Sequence, residues 1–154
     1  MIKLNPFRQK PGFCGPASLK MVLEYYGTKR AEDELSKLCG RKDGEGTEIL
    51  GIVKAAKGLG FRAELIEGAD LQTLTEWVEE KGIPVIVEWF STYTSHYSPV
   101  VGVTEKNVWL MDPDIGKVCR LSHKRFNTIW FAFDPVHART PESLKAGRMV
   151  AIFP

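Results

Sequence analysis

The chain has 154 residues, 44% hydrophobic and 26% charged, with a formal net charge of +2. That length suits one domain, residues 1–154, with a core of its own and is short for two. Lys and Arg are scattered, and basic clusters such as Arg41-Lys42 and His123-Lys124-Arg125 are short; a nucleic-acid footprint would need a concentrated patch or stripe. The longest apolar run, Ile83 to Val87, is of strand length, far from the ~20 residues of a membrane span. The opening MIKLNPFRQK has no apolar stretch of signal-peptide length. The expectation is a soluble, cytoplasmic protein with no nucleic-acid partner and no membrane span. Three cysteines, Cys14, Cys39 and Cys119, form no Cys-x-x-Cys, so neither a disulfide framework nor a zinc site is expected. There is no His-Glu-x-x-His and no Gly-rich phosphate loop ending in Lys-Ser or Lys-Thr, and no metal or cofactor is expected.

In chain order, a first helix begins near Cys14-Gly15-Pro16-Ala17, continues through Met21, Val22, Tyr25 and Tyr26, and stops at Gly27. A short helix is predicted from about Ala31 to Leu38, with Gly40 as its stop. Thr47 is predicted to cap a third, carrying Ile49, Leu50, Val53 and Ala56 and closed by Gly60. Phe61, Ala63 and Leu65 alternate as a strand. Asp70 caps a fourth helix, with Leu71, Leu74, Trp77 and Val78 inward and Gly82 at its end. Strands follow at Ile83–Phe90, Tyr97–Val103, Val108–Met111 and Val118–Leu121, with Glu105-Lys106-Asn107 as a hairpin turn. Ser122 caps a short helix through Phe126, and Met149–Phe153 is a last strand. Helices first and then a mostly antiparallel sheet is an α+β order.

Pro16 in a first helical turn gives up no needed N–H, so Cys14 lies at a helix N-terminus. There the dipole and the unpaired N–H groups favour a thiolate, the nucleophilic form, and can hold a developing oxyanion. A buried cysteine on a helix cap fits this local pattern equally well. Of three histidines, His123 and His137 read as solvated surface. His96 precedes an apolar strand and projects towards one end of a sheet. Asp112-Pro113 ends the next strand, sixteen residues on with the turn midway, so the hairpin brings both residues to the same end. A carboxylate there can hold an imidazole in the right tautomer. Asp-Pro-Asp is equally a turn signal, and the two roles are compatible.

Together these segments resemble the bacteriocin-processing cysteine peptidases, the double-glycine-leader peptidases found at the N-termini of peptide-exporting ABC transporters and as stand-alone relatives. The resemblance rests on Phe13-Cys14-Gly15-Pro16-Ala17-Ser18-Leu19-Lys20-Met21-Val22-Leu23, on His96-Tyr97 followed by Val100-Val101-Gly102, and on Asp112-Pro113. Gly46-Thr47, Pro84, and Phe126 with Trp130 also fit. It covers roughly Gln9 to Phe131. It implies a papain-like fold, a helical lobe packed on a mostly antiparallel sheet, and a Cys14-His96-Asp112 triad cleaving a peptide or protein substrate. It also implies a glutamine upstream of the cysteine as oxyanion donor. Gln9 is the one candidate and lies five residues before Cys14, one fewer than the family pattern. A second departure is Pro99, which cannot donate to a ladder and so predicts an edge or bulged strand. The resemblance points to cleavage after small residues such as Gly-Gly, in a narrow cleft for which Tyr93, Tyr97 and Trp130 are bulky candidate walls. Two alternatives use the same fold: a peptide-binding module without activity, and a cysteine acyltransferase. The sequence assigns no transporter association.

Overall fold

The computed structural model describes residues 1–92, 94–133 and 140–154. Asp134, Pro135 and His137, and the candidate wall residue Tyr93, lie outside the described residues. Three helices come first: α1 (Cys14–Tyr25), α2 (Glu32–Leu38) and α3 (Ile49–Gly58). Strand β1 (Arg62–Ile66) leads to α4 (Leu71–Thr75), which runs on into a π-helical turn, Glu76–Glu80. Then come β2 (Val85–Ser91), β3 (Thr94–Val103), β4 (Asn107–Asp112), β5 (Lys117–Ser122), α5 (His123–Ile129), β6 (Phe131–Phe133), β7 (Leu144–Ala146) and β8 (Met149–Phe153). Among the described residues no helix is long and apolar enough to cross a membrane.

Local chemistry sets most boundaries. Asp70 accepts the Thr73 N–H at 2.8 Å and Ser122 accepts the Arg125 N–H at 3.2 Å, both as predicted caps. Thr47 is not a cap. Glu48 holds that position without a side-chain bond, and the Thr47 carbonyl instead accepts the Tyr97 hydroxyl at 2.9 Å. His123 is half-buried rather than solvated, because its N–H is drawn to the Lys106 carbonyl of the β3–β4 turn at 3.0 Å.

The main sheet has the order β1-β8-β2-β3-β4-β5, antiparallel at every pairing. Strand β2 alternates sides, so both faces are buried. Ile86 joins Tyr97, Val150 and Ile152 beneath Leu19, Val22 and Leu23 of α1 and Ile52 of α3. Val85, Val87 and Trp89 join Val100, Leu110 and Ala151 beneath Leu74, Trp77, Phe126 and Trp130. The helical lobe therefore covers one face, and α4 and α5 cover the other. Strand β3 is interior, so Pro99 does not mark an edge. Pro99 sits opposite Ile86 of β2, while the β4 ladder begins only at Val100 and slips by a bulge before Gly102. On its β4 side Pro99 therefore has no ladder partner to fail.

The backbone of α3 at Gly51 lies close against the end of α2 at Cys39. A Cβ on Gly51 would lie 2.1 Å from the Cys39 carbonyl oxygen, whereas one on Gly58 meets nothing within 4 Å. Gly51→Ala is expected to cost about 1–3 kcal/mol and to lower Tm by roughly 2–4 °C per kcal/mol at this size. Gly58→Ala should leave Tm unchanged or raise it. Thermal denaturation of both variants checks this, and equal Tm values would show that the two helices part without cost.

Candidate active site

Cys14 is the first residue of α1 and is half-buried. Phe13, the residue before it, offers no side-chain cap, and the first turn holds no acid. Pro16 has no N–H, so the first-turn donors left for another group are those of Cys14 and Gly15. Gly15 is required by packing, because a Cβ there would stand 2.9 Å from the Thr47 Cβ. The loop before α3 thus lies directly against the turn that carries Cys14.

His96 lies within β3, third in the strand rather than ahead of it, and is 8% exposed. It pairs with Trp89 of β2, whose indole meets the imidazole edge-on with ring centroids 5.2 Å apart. The indole is itself fixed, donating from Nε1 to Ser98 Oγ at 3.1 Å. Asp112 ends β4, and its Oδ1 lies 2.7 Å from His96 Nε2. The same oxygen accepts the Asp114 N–H at 3.0 Å, so the Asp-Pro-Asp turn also holds the carboxylate. The β3–β4 ladder does not reach this end of the hairpin, and the His96–Asp112 bond spans the open strands in its place.

Cys14 is the other group near enough to act on the ring. Burial pushes the His96 pKa down, but hydrogen bonds to Asp112 and Cys14, with the negative charge of each, outweigh it and lift the value to about 9. Burial alone would raise the Asp112 pKa, yet the bonds from His96 and the Asp114 N–H hold it below the usual carboxylate range. The other two cysteines differ. Burial raises Cys39 to about 12, and burial with the nearby Asp112 charge raises Cys119 to about 11. Both stay thiols at neutral pH.

Gln9 lies on the segment that enters α1. Its N–H donates to the Pro113 carbonyl at 2.9 Å, which ties it to the residue after Asp112. Its Oε1 is buried without a hydrogen-bond partner among the described residues.

A model of the Peptidase C39 family matches residues 8–133. The chain belongs to that family. Its C39 segment is 38% identical over 119 residues to the pediocin PA-1 transport/processing ATP-binding protein PedD of Pediococcus acidilactici; the match takes in 76% of this chain and only 16% of the relative's length. It is 33% identical over 126 residues to an uncharacterized protein of Methanothermobacter marburgensis, covering 80% of each. In three dimensions it is similar to the peptidase domain of Streptococcus ComA, a bi-functional ABC transporter involved in a quorum sensing pathway. The TM-score is 0.71 at 28% identity, over 100% and 99% of the two chains. It also shares its fold with a double glycine motif protease from an AMS/PCAT transporter solved with a leader peptide, at TM-score 0.76, 22% identity, and coverage of 99% and 92%. The C39 fold seen here is the papain-like α+β arrangement that the sequence resemblance implied.

Within this C39 domain two expected wall residues are core residues. Tyr97 is 3% exposed, and its hydroxyl donates to the Thr47 carbonyl and to Glu88 Oε1 at 3.1 Å. Trp130 is 4% exposed and donates from Nε1 to the Arg148 carbonyl at 3.1 Å. Sequence reasoning missed the buried network behind the site, in which Arg148 bridges Glu88 at 3.3 Å and Glu67 at 2.8 Å. An acid inside the apolar run Ile83–Phe90 is the signal that could have found Glu88. Trp89 had no signal beyond its place in the same run. Among the described residues no three His, Cys, Asp or Glu side chains gather as a metal site would need.

Proposed function

We propose that this chain is a cysteine peptidase, a single domain that cleaves leader-type peptides after paired small residues such as Gly-Gly. Cys14 is the nucleophile, His96 the base and acid, Asp112 its orienting partner and Gln9 an oxyanion donor. The observation that carries the reading is one imidazole bonded to Asp112 at 2.7 Å and near enough to the thiol at the α1 N-terminus for Cys14 to help raise its pKa. With Nε2 facing Asp112, Nδ1 is the nitrogen for Cys14. His96 holds the proton of the thiol, Cys14 Sγ attacks the carbonyl carbon, and the oxygen becomes an oxyanion facing the Cys14 N–H and Gln9. His96 then gives its proton to the leaving amine as the C–N bond breaks. Water, deprotonated by His96, releases the acyl group and restores the thiol. The partner is a peptide substrate, and the match to transporter-borne C39 segments supports a leader peptide.

The test is mass spectrometry of a Gly-Gly peptide and its Val-Val counterpart, each incubated with wild type and with Cys14→Ala. Cleavage after Gly-Gly by wild type alone is expected. Binding without cleavage would replace the reading with a peptide-binding module, and a product carrying an added amine or thiol would replace it with an acyltransferase. Iodoacetamide at about pH 6.5, some two units below a free thiol's pKa, should label Cys14 well ahead of Cys39 and Cys119. Equal labelling of the three would count against a nucleophile at position 14.

The raised His96 pKa gives the pH dependence its sign. The ion pair persists until the imidazolium loses its proton, so kcat/KM should fall on the alkaline side near the His96 value of about 9. Asp112 helps to hold that proton, so Asp112→Asn should move the alkaline limb to lower pH and reduce turnover less than His96→Ala does. Stability follows the same group. The folded pKa lies above the unfolded value of about 6.5, so the contribution is complete below that pH and is lost as pH rises through the folded value. An alkaline limb that stays in place in Asp112→Asn would sink the assignment of Asp112. Activity lost in Asp134→Asn instead would move the role to the other Asp-Pro pair.

A further inference from the structure

The carboxamide oxygen of Gln9, Oε1, is buried with no hydrogen-bond partner among the described residues, so the path of the backbone from Gln9 to Cys14 sets where the side chain can point. That path is pinned from outside. The Gln9 N–H reaches Pro113, and the Lys10 N–H donates to Glu32 Oε1 at 2.9 Å. The Phe13 N–H closes a turn onto the Lys10 carbonyl at 3.0 Å, through Gly12 at φ 77°. Arg41 Nε donates to the Gly12 carbonyl at 2.8 Å, and its guanidinium stands 3.8 Å from the Phe13 ring centroid. Asp43 holds that guanidinium in turn, through Nη1 at 2.9 Å.

Besides Pro113, the outside pins belong to one short helix and its exit. Glu32 opens α2 and Arg41 follows its end. Glu32 is 7% exposed. A carboxylate buried that far is costly unless it accepts hydrogen bonds, and among the described residues it accepts one from the loop ahead of Cys14. The Lys10–Asp33 ion pair on the same side is exposed, and such pairs add little. A loop of four residues between donor and nucleophile has fewer shapes that bring the two together than a longer one. Fixing it from outside is what a short connection needs.

We infer that Glu32 and Arg41 are positioning residues for oxyanion stabilisation, holding the loop from Gln9 to Cys14 in the shape that aims the Gln9 carboxamide at the oxygen of the carbonyl under attack. The inference rests on the peptidase reading above. Both would act through the loop rather than through the substrate. Misplacing a catalytic group by about 1 Å can cost roughly 10²-fold, so Glu32→Ala and Arg41→Ala should each lower kcat by between about 10-fold and 10²-fold with KM unchanged.

The experiment separates oxyanion stabilisation from thiol reactivity in the full chain. The probes are a Gly-Gly aminomethylcoumarin amide for turnover, a peptide aldehyde ending in Gly-Gly for affinity, and iodoacetamide for the thiol. With the aldehyde, a bond forms from Cys14 Sγ to the carbonyl carbon, the C=O π bond breaks, and the oxygen takes up the thiol proton as a hemithioacetal. Its oxygen sits where the oxyanion would. Alkylation by iodoacetamide displaces iodide and develops no such charge. Glu32→Ala and Arg41→Ala should weaken the aldehyde by the same factor as kcat and leave alkylation of Cys14 unchanged. In a Gln9→Ala background their effect should vanish, since groups acting through one another are not additive. Glu32→Gln keeps an oxygen for the Lys10 N–H and should recover most of the activity. If Glu32→Ala fails to fold, Arg41→Lys carries the test, because it keeps the charge but loses the Nε–H bond and the planar stack.

Unchanged kcat and aldehyde affinity in these variants would overturn the inference while leaving an active peptidase. So would a loss of alkylation in step with kcat, or a full effect in the Gln9→Ala background. A wild type with an unreactive Cys14 that neither cleaves the amide nor binds the aldehyde would overturn the peptidase reading and this inference together.

Discussion

His96→Ala is expected to lower kcat/KM for a Gly-Gly peptide by about 10⁴-fold, the upper end of what a positioned acid–base group contributes. The upper end applies because the proposed mechanism uses the residue twice, first as partner of the thiol and then as donor to the leaving amine. The same substitution removes the cation beside Cys14. At about pH 6.5 an unassisted thiol is only about 1% ionised, so alkylation of Cys14 should slow by as much as about 10²-fold. Far-UV circular dichroism and Tm separate this from misfolding. His96 packs edge-on against Trp89, and some loss of stability is expected there. A loss of kcat/KM below tenfold, or alkylation that keeps its wild-type rate, would remove His96 from the reaction.

Gln9→Ala should cut kcat by about 10²–10³-fold with little change in KM, the signature of one lost oxyanion donor. The structure gives this expectation a sharper form than the spacing alone. Gln9 is tied to Pro113 and thus travels with the turn that holds Asp112. The proposed donor and the carboxylate bonded to His96 therefore share a support. A change confined to KM would make Gln9 a cleft residue only, leaving the first-turn N–H of Cys14 to stabilise the oxyanion.

What was legible in the sequence is local or nearly so. The caps at Asp70 and Ser122 are read within three residues, and the meeting of His96 with Asp112 follows from one hairpin with its turn midway. What was not legible depends on partners far along the chain. Thr47 looks like a cap until Tyr97, fifty residues on, takes its carbonyl. Pro99 signals an edge or a bulge, and only the β4 pairing decides between them, with a register shift between Val100 and Gly102 in an interior strand. Glu32 and Arg41 look like ordinary surface charges of a short helix, because nothing in their own neighbourhood shows that residues 10 and 12 need them. Tyr97 and Trp130 have the size of cleft walls, and only the sheet's two buried faces show them to be core.

Strand β8 lies between β1 and β2, and β1 has no other neighbour in the sheet. Contacts that join residues 62–66 to 149–153 close a loop of most of the chain's length, and such long closures form late in folding. Val150 and Ile152 also complete the layer on which α1 and α3 rest. During synthesis the helix bearing Cys14 therefore emerges early but has no finished floor until residues 149–153 have been made. A nascent chain of this kind carries Cys14 and His96 on pieces whose shared support is still incomplete, and residues 149–153 supply the part of the layer on which α1 rests.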